Sequence, residues 1–388
     1  MEARRTLRVA ARTLVALASA TTLVAAGLAW SVQQRLDVAV SSDAIAGATL
    51  TPDGEAFTAL LVGLDARTDA VGDPLPPALL DALHAGPDDG QLHTDTIIML
   101  HVPAGTGASA VAVSIPRDSF VPIAGGRGTH KINSAYRRGL EDAEKALTAQ
   151  GVTGAELDRR GREAGRSSLI ATVEALTGVG VDHLAEINLA GFVELTDALG
   201  GVPVCLNAAV RDTYSGVDLP AGRQTVSGTK ALAFVRQRHG LEAGDLDRIA
   251  RQQAFGAGLA QRLLTAGTLA DPTRLQRLVG VVARHVVLDR GWDLNQALAQ
   301  LSRFSGDELT FRTIPTGRPD LATPVDGVAV EIDPRAVRSF VRSVVAGMEP
   351  VATAPPPSTT PGRAPVAGAP TTATAPPVIT ADGIACVD

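Results

Sequence analysis

Hydrophobic and polar positions follow two kinds of pattern along most of this chain. Short runs of β-branched and aliphatic residues, each ending near Gly, Pro or Asp, predict buried strands. These runs stand at 57–64, 95–102, 110–116, 202–206, 234–238, 308–315 and 327–333. Helical patterns stand at 131–149, 167–177, 189–199, 245–265, 272–287, 293–303 and 334–346. Strands mixed with helices of this length predict a three-layer α-β-α fold, with a central mixed β-sheet covered by helices on its faces.

The N-terminal segment has a different pattern. Residues 13–32 carry no charge, and twenty such residues are enough to cross the hydrocarbon core of a bilayer as one helix. Four arginines precede this run, so the positive-inside rule places residues 1–12 in the cytoplasm. A cleaved signal peptide and a buried core helix are the alternatives, but the basic flank and the missing cleavage site disfavour them. We therefore expect a single-pass cell-membrane protein whose folded domain lies outside the cytoplasm.

The remaining chain divides by composition. We expect a linker at 33–56, the main domain at 57–265 and its α/β extension at 266–347. Residues 348–388 are rich in Pro, Thr and Ala, a composition that cannot bury enough apolar surface to become ordered, so a disordered tail is expected there.

Charge and cysteine content limit the classes of function. The net charge of −6 argues against a general nucleic-acid binder, because such proteins need excess cations to displace phosphate counterions. Cys205 and Cys386 are too far apart in sequence for a local metal-ligand pair or a redox motif. They could pair in an exported domain, and the sequence leaves this open.

Acidic and basic residues stand where the first three predicted strands begin or end. Asp65 and Arg67 follow the first strand, Asp95 opens the second, and Arg117 with Asp118 closes the third. Strand ends and the loops beside them are where α/β sheets usually build sites. A single Asp in a loop is more often a turn or helix cap. Charged residues at the ends of three successive strands, however, favour a functional site.

The second half of the domain supplies cations. Arg236 and Arg238 are two residues apart, so on the predicted strand they point to one face. Arg248, Arg251 and Gln252 share one face of the predicted helix. The alternative is a solvated helix face on which the arginines pair with nearby aspartates. Because the planar guanidinium fork binds two phosphate oxygens at once, the set predicts a phosphate site.

Two further inferences concern the chemistry of this site. Lys131 begins the next helix and could add a cation at a helix N-terminus. Asp65 and Asp95 beside so many cations suggest Mg²⁺ bridging carboxylate and phosphate oxygens. The sequence therefore predicts phosphoryl transfer, in which the protein supplies positioning and charge neutralisation.

These segments resemble a known family in their chain order over about 57–265. They read LLVGLDAR, HTDT, VSIPRDS, HKINSAY, GFVELTDALGGVPVCL, LPAGRQTVSGTKALAFVRQRH and DLDRIARQQ. The chain is similar to the LytR-CpsA-Psr family of cell-wall glycopolymer phosphotransferases, of the actinobacterial type. The resemblance implies transfer of a polyprenyl-pyrophosphate-linked polysaccharide to the C6 hydroxyl of N-acetylmuramic acid in peptidoglycan, with release of polyprenyl phosphate.

The resemblance also implies roles for single residues. Asp65 and Asp95 match the aspartates linked with Mg²⁺ and catalysis. The matches to pyrophosphate-binding residues are Arg117, Arg236, Arg238, Arg248 and Gln252, with Lys131 matching less closely. The chain departs from the family in having His93 and Thr94 before Asp95, where Arg-Ser is frequent.

Some assignments stay open at this stage. Arg67 and Arg251 are expected to bind substrate with the other cations, and Asp65 or Asp118 to accept the hydroxyl proton. The same residues would also suit a hydrolase that cleaves polyprenyl pyrophosphates. An alternative of a different functional class is a non-catalytic lipid-binding protein of the envelope. A transcription regulator is disfavoured, because the folded domain is expected to face outward.

Overall fold

The computed structural model describes most of the predicted domain. The described residues are 40–44, 55–70, 72–86, 92–105, 109–241, 245–264, 272–292, 300, 303–304, 308–348, 379–380 and 383–388. The predicted membrane segment 13–32, the N-terminus 1–12 and nearly all of the predicted helix 293–303 lie outside these residues. Among the helices that are described, none is long and apolar enough to cross a membrane.

The strands and helices follow one another along the whole described chain. The strands are β1 (Val40–Ser42), β2 (Phe57–Asp65), β3 (His93–Val102), β4 (Ala110–Ser114), β5 (Ser119–Pro122), β6 (Thr129–Lys131), β7 (His183–Asn188), β8 (Val202–Leu206), β9 (Val210–Asp212), β10 (Val217–Leu219), β11 (Gly222–Val226), β12 (Val286–Asp289), β13 (Leu309–Thr313), β14 (Leu321–Ala322), β15 (Val328–Glu331), β16 (Ile379–Thr380) and β17 (Cys386–Val387). The helices are α1 (Pro77–Ala82), α2 (Ala135–Ala149), α3 (Gly154–Thr177), α4 (Leu189–Ala198), α5 (Gly228–Arg236), α6 (Asp245–Leu264), α7 (Pro272–His285) and α8 (Pro334–Val345).

A mixed sheet forms the centre of the fold, as predicted. Its strand order is β1-β12-β7-β2-β3-β4-β13-β16. The pairs β2–β7 and β4–β13 are parallel, whereas β2–β3 and β3–β4 are antiparallel. The chain therefore reaches β7 and β13 by long crossovers, and these crossovers contain the helices that cover the sheet.

Two apolar cores pack on the two faces of this sheet. Successive residues of a strand point to opposite faces, and along β2 they enter different cores: Ala59 joins one and Leu60 the other. The first core includes residues of α4, α5 and α6, and the second includes residues of α2, α3 and α8. The helices thus form a layer on each side of the sheet.

Close helix contact in the second layer depends on two glycines. A Cβ added to Gly139 of α2 would overlap the side chain of Ser168 in α3. A Cβ added to Gly165 would lie 2.9 Å from the Tyr136 ring. Glycine at both positions therefore lets the two helices approach closely enough to bury Tyr136 completely between helix and sheet.

The end of the chain differs from the disordered tail predicted for 348–388. β16 pairs with β13 at the edge of the central sheet, and β17 pairs in parallel with β8. Cys386 forms a disulfide bond with Cys205 of β8. Ile379 and Val387 are buried. Contacts with distant strands therefore order this part of the chain, which its composition alone does not predict. Residues 349–378 lie outside the described part.

Several predicted boundaries also need correction. The predicted strand at 234–238 is wrong, because α5 runs to Arg236. Residues 231–235 of this helix are all buried, so that segment has no polar positions that would have shown a helical period. Helix α3 begins at Gly154 instead of 167, and the helix predicted over 272–287 ends at His285, where β12 follows.

Candidate active site

An irregularity in the central sheet brings two carboxylates together. Gly63 of β2 lies opposite Thr96 of β3, and the next residue, Leu64, lies opposite Thr94. Asp95 is therefore the extra residue of a β-bulge, and a bulge turns a side chain away from its regular direction. Asp65 ends β2 one residue farther on. Both carboxylates line a cavity of about 340 Å³.

Most of the residues predicted from the sequence line this cavity. Seven of the eleven do so, namely Asp65, Asp95, Arg117, Arg236, Arg238, Arg248 and Gln252. They come from β2, β3, the loop after β4, α5, the loop after it, and α6. The fold thus brings segments separated by almost two hundred residues to one cavity. The prediction of a single anion site requires this.

Asp95 lies between two of the cations. Arg117 donates from Nη1 to Oδ1 of Asp95 at 2.6 Å. Arg238 Nη2 lies 3.8 Å from the other carboxylate oxygen. These contacts orient both guanidinium groups toward the cavity wall. They also place the negative charge of Asp95 where it partly compensates the arginines when no anion is bound.

Asp65 has a less favourable environment for its charge. Its Oδ1 atom is buried without a hydrogen bond, and the nearest cation is Arg67 Nη1 at 3.3 Å. Burial, followed by the nearby charge of Asp95, raises the pKa of Asp65 above its ordinary value, although three arginines act against this. Two carboxylates held together in this way suit a divalent cation that accepts oxygen ligands.

The two carboxylates alone are an incomplete ligand set. Within the described ranges, no group of three or more His, Cys, Asp or Glu side chains could hold a metal ion. Mg²⁺ binds in just this manner in phosphate sites, where one or two carboxylates are completed by water and substrate oxygens. Asp65 and Asp95 therefore fit Mg²⁺ that arrives with a phosphorylated substrate.

Three predicted residues support the cavity without lining it. Arg67 donates to the main-chain carbonyls of Asp65 and Ala85, which holds the end of β2 in place. Lys131 Nζ lies 3.1 Å from Asp118, and the same carboxylate lies 3.7 Å from Arg117 Nε. The structure therefore places Arg67, Lys131 and Asp118 behind the residues that face the cavity.

Arg251 needs a correction, because it does not reach the cavity. Its side chain is fully buried and donates to Gln237 Oε1 and to a main-chain oxygen of Asp388, with the guanidinium over the Phe234 ring. Burial lowers the pKa of Arg251 to about 10. On a helix Arg248 and Gln252 are about 40° apart, whereas Arg251 lies about 60° to the other side of Arg248. That offset turns the Arg251 side chain away from the cavity and toward Asp388.

An apolar wall lies beside the charged part of the cavity. Leu189 and Phe192 are three residues apart on α4, and Leu232 and Val235 have the same spacing on α5. The two pairs therefore present one face of each helix to the cavity. A ligand that combines an anionic group with a hydrocarbon chain matches this division of the lining.

Sequence reasoning missed several lining residues. Asn188 lines the cavity and caps α4, where its side-chain oxygen accepts from Gly191 N–H at 2.8 Å. The positive end of this helix dipole therefore adds to the field in the cavity. Asp212, Tyr214 and His239 line it as well. In the sequence these residues read only as parts of turns, and no local pattern connects them with the arginines.

Sequence comparisons find similar proteins over most of this chain. The LytR_cpsA_psr family model matches residues 28–329. The cell wall biosynthesis protein LcpA of Corynebacterium glutamicum is 42% identical over 346 residues, which are 87% of this chain and 66% of that protein. The polyisoprenyl-teichoic acid–peptidoglycan teichoic acid transferase TagU of Oceanobacillus iheyensis is 31% identical over 228 residues, covering 58% and 62% of the two chains. The chain spans less than two thirds of the length of these relatives.

Solved structures share the fold at low sequence identity. The crystal structure of TagV from B. subtilis has a TM-score of 0.55 and 19% identity, covering 76% of this chain and 98% of that one. A LytR-Csp2A-Psr enzyme from Actinomyces oris has a TM-score of 0.51 and 21% identity, covering 78% and 93%. Both confirm the mixed α/β architecture.

Proposed function

The chain belongs to the LytR-CpsA-Psr family, and from this premise we propose that it transfers a polyprenyl-pyrophosphate-linked polysaccharide to peptidoglycan. The acceptor is the C6 hydroxyl of N-acetylmuramic acid, and polyprenyl phosphate is released. Its relatives include proteins named for cell wall biosynthesis and for teichoic acid transfer to peptidoglycan, which supports glycopolymer transfer as the general activity.

The observation that carries the proposal is the convergence of cations on one cavity. Four arginines line it together with three aspartates, so the wall keeps a positive excess. Guanidinium groups bind phosphate oxygens in pairs, and a pyrophosphate offers enough oxygens to engage several of them. The apolar wall between α4 and α5 would take the first part of the polyprenyl chain. One cavity thus suits both parts of a lipid pyrophosphate.

The proposed reaction is a substitution at phosphorus. The acceptor hydroxyl oxygen forms a bond to the sugar-linked phosphorus, and the bond from that phosphorus to the polyprenyl phosphate oxygen breaks. Of the two candidates for the hydroxyl proton, Asp65 lines the cavity and Asp118 does not. We therefore assign the proton to Asp65. Arg117, Arg236, Arg238 and Arg248 hold the pyrophosphate, and Gln252 donates to one of its oxygens.

Asp95, with Asp65 beside it, is proposed to hold Mg²⁺, which when bound would neutralise charge on the phosphate oxygens. Thermal unfolding in the presence of inorganic pyrophosphate, which supplies the phosphate oxygens that complete the ligand set, tests this assignment. At ten times its dissociation constant, a bound ion stabilises the folded state by about 1.4 kcal/mol. Mg²⁺ should therefore raise the melting temperature of the wild type but not of Asp95→Asn. An equal rise in both proteins would reject the ligand assignment.

The proposed location is the outer face of the cell membrane, with residues 13–32 as the anchor. The Cys205–Cys386 disulfide supports export, because such bonds persist mainly in oxidising compartments. Fractionation of cells that produce the full chain, followed by protease treatment of intact protoplasts, tests the location. Protection of the domain from protease would contradict it.

Transfer itself is tested with purified protein, a polyprenyl-pyrophosphate oligosaccharide and peptidoglycan. Arg236→Ala should lower the transfer rate by roughly a hundredfold or more, the loss expected when a group that stabilises transition-state charge is removed. Arg159→Ala is the matched control, since Arg159 is exposed and pairs with Glu156 on the surface of α3. Because Arg236 also donates to the Leu83 carbonyl, the melting temperature of the variant is measured in parallel.

The other outcomes discriminate between the rival functions. Equal transfer by wild type and Arg236→Ala would reject the arginine assignment. Polysaccharide phosphate formed at the same rate without peptidoglycan would indicate a hydrolase. Tight binding of the lipid without turnover, with every acceptor and metal, would indicate a binding protein.

A further inference from the structure

Two exposed aromatic rings stand at the cavity. Tyr214 and His239 both line it, and their rings stack with centroids 4.2 Å apart and an angle of 28°. The Tyr214 residue is 73% exposed and the His239 side chain 63% exposed. Both rings thus keep most of their surface in water at the edge of the charged cavity, where a ligand can cover it.

The local structure holds Tyr214 in this position. The residue stands in the turn between β9 and β10, and Asp212 accepts hydrogen bonds from the N–H groups of Tyr214 and Ser215 at 3.0 and 3.2 Å. Asp212 also accepts from the Ser215 hydroxyl at 2.7 Å. Gly216 adopts φ +76°, and a Cβ there would lie 2.6 Å from the His84 ring. The main chain of the turn is therefore held from both sides, which fixes the point from which the Tyr214 side chain extends.

His239 connects this surface with the pyrophosphate site. It directly follows Arg238, and its main-chain carbonyl accepts from Gln237 Nε2 at 2.9 Å. Arg236 and Arg238 on the same short segment line the cavity. A ligand whose phosphate contacts these arginines therefore lies in the same cavity as the stacked rings.

We propose that Tyr214 and His239 form a saccharide subsite, in which a pyranose ring packs its C–H face on the aromatic pair. The inference rests on the proposed function and deepens it by assigning the residues that hold a sugar next to the reacting phosphate. A hydrocarbon chain suits the apolar wall of α4 and α5 instead. A pyranose has an apolar face and a polar rim, so it matches rings that remain wet at their edges.

Kinetics of three variants test the subsite. Tyr214→Ala removes the stacking surface, whereas Tyr214→Phe keeps it. Val325→Ala is the matched control, because Val325 is also 73% exposed and does not line the cavity. Loss of one aromatic contact is expected to raise KM for one glycan substrate roughly three- to tenfold, with kcat within about twofold of wild type. The Phe variant, which keeps the stacking surface, should recover most of the change in KM, and the Val325→Ala control should match the wild type.

The sugar has two sources, the polymer of the donor and the muramic acid of the acceptor. Varying a short-chain prenyl-pyrophosphate disaccharide at fixed peptidoglycan, and then the reverse, shows which KM changes. A change in either supports the subsite and identifies its sugar. If Arg236→Ala abolishes transfer while Tyr214→Ala leaves both KM values unchanged, the subsite is refuted and the proposed function stands.

A direct binding measurement keeps the subsite testable without turnover. Saturation-transfer NMR with a water-soluble N-acetylglucosamine–N-acetylmuramic acid disaccharide, and with a disaccharide pyrophosphate, reports which sugar protons contact the protein. Signals on the C–H face of a pyranose that disappear in Tyr214→Ala would support the subsite even if no transfer occurred. Equal signals in the two proteins, or none for either probe, would overturn it.

Discussion

Removal of the disulfide bond by Cys386→Ser should lower stability mainly through the unfolded state. The bond joins residues 181 positions apart. In the chain-entropy model, a crosslink over that distance restricts the unfolded chain by about 5 kcal/mol, and strain or residual structure reduces this figure. The contacts of the folded state do not need the sulfur atoms. Asn207 N–H donates to the Val387 carbonyl at 2.9 Å, and Arg251 donates to a main-chain oxygen of Asp388.

We therefore expect Cys386→Ser to lose about 2–5 kcal/mol of unfolding free energy. Urea denaturation followed by circular dichroism measures this, with and without a reductant. The reductant should bring the wild type close to the variant and should leave the variant unchanged, which serves as the control. Equal midpoints for the oxidised wild type and the variant, with equal slopes, would refute the reasoning.

The same variant should also affect the site. Without the covalent bond, the terminal strand β17 can separate from β8 without unfolding of the whole domain. Arg251 then loses the Asp388 main-chain oxygen and keeps Gln237 as its partner. Gln237 stands between Arg236 and Arg238, so their positions become less defined. Transfer should fall before the domain melts, and activity measured against temperature checks this order of events.

Three further predictions concern the stability of the folded domain. Asp65→Asn should raise the melting temperature at pH 7 in EDTA but not at pH 2. The pKa of Asp65 is raised in the folded state, so the carboxyl loses stability for the fold as pH rises through that pKa. Calorimetry at the two pH values checks the sign of the change in melting temperature. Gly258→Ala would drive a methyl group into a carbonyl oxygen of β8, which should cost about 1–3 kcal/mol of unfolding free energy and lower transfer. Gly280→Ala is the control, because Gly280 stands in an open helical position. It should be neutral or stabilising in the same urea experiment. Glu186→Ala should cost about 3–5 kcal/mol because it leaves the buried Arg166 guanidinium without its forked carboxylate, and a loss below about 1 kcal/mol in urea denaturation would contradict this.

Local pattern was sufficient where a residue's position follows from its own element. Asp65 and Asp95 reach the cavity because strand ends and their loops meet at one edge of a sheet. Arg248 and Gln252 share a face because they are four residues apart on a helix. The motifs that resemble the family occur within such short segments. For that reason, the sequence also predicted the family correctly.

Local pattern failed where the partner of a residue comes from a distant segment. Arg251 is on the same helix as Arg248, yet its acceptors are Gln237 and the last residue of the chain. Residues 234–236 are helical although the pattern at 234–238 suggested a strand, since tertiary packing buries residues 231–235. Tyr214 is in a turn whose place beside the arginines depends on the packing of Gly216 against His84.

Periodicity and spacing report on structure within one strand or helix, so the sequence was enough for the class of fold, the family and most of the charged residues that line the cavity. Only the tertiary structure decided that Cys205 and Cys386 pair, that Arg251 faces inward and that two aromatic rings border the cavity. Those facts depend on contacts between segments up to 181 residues apart, and such contacts leave no periodic signal in either segment.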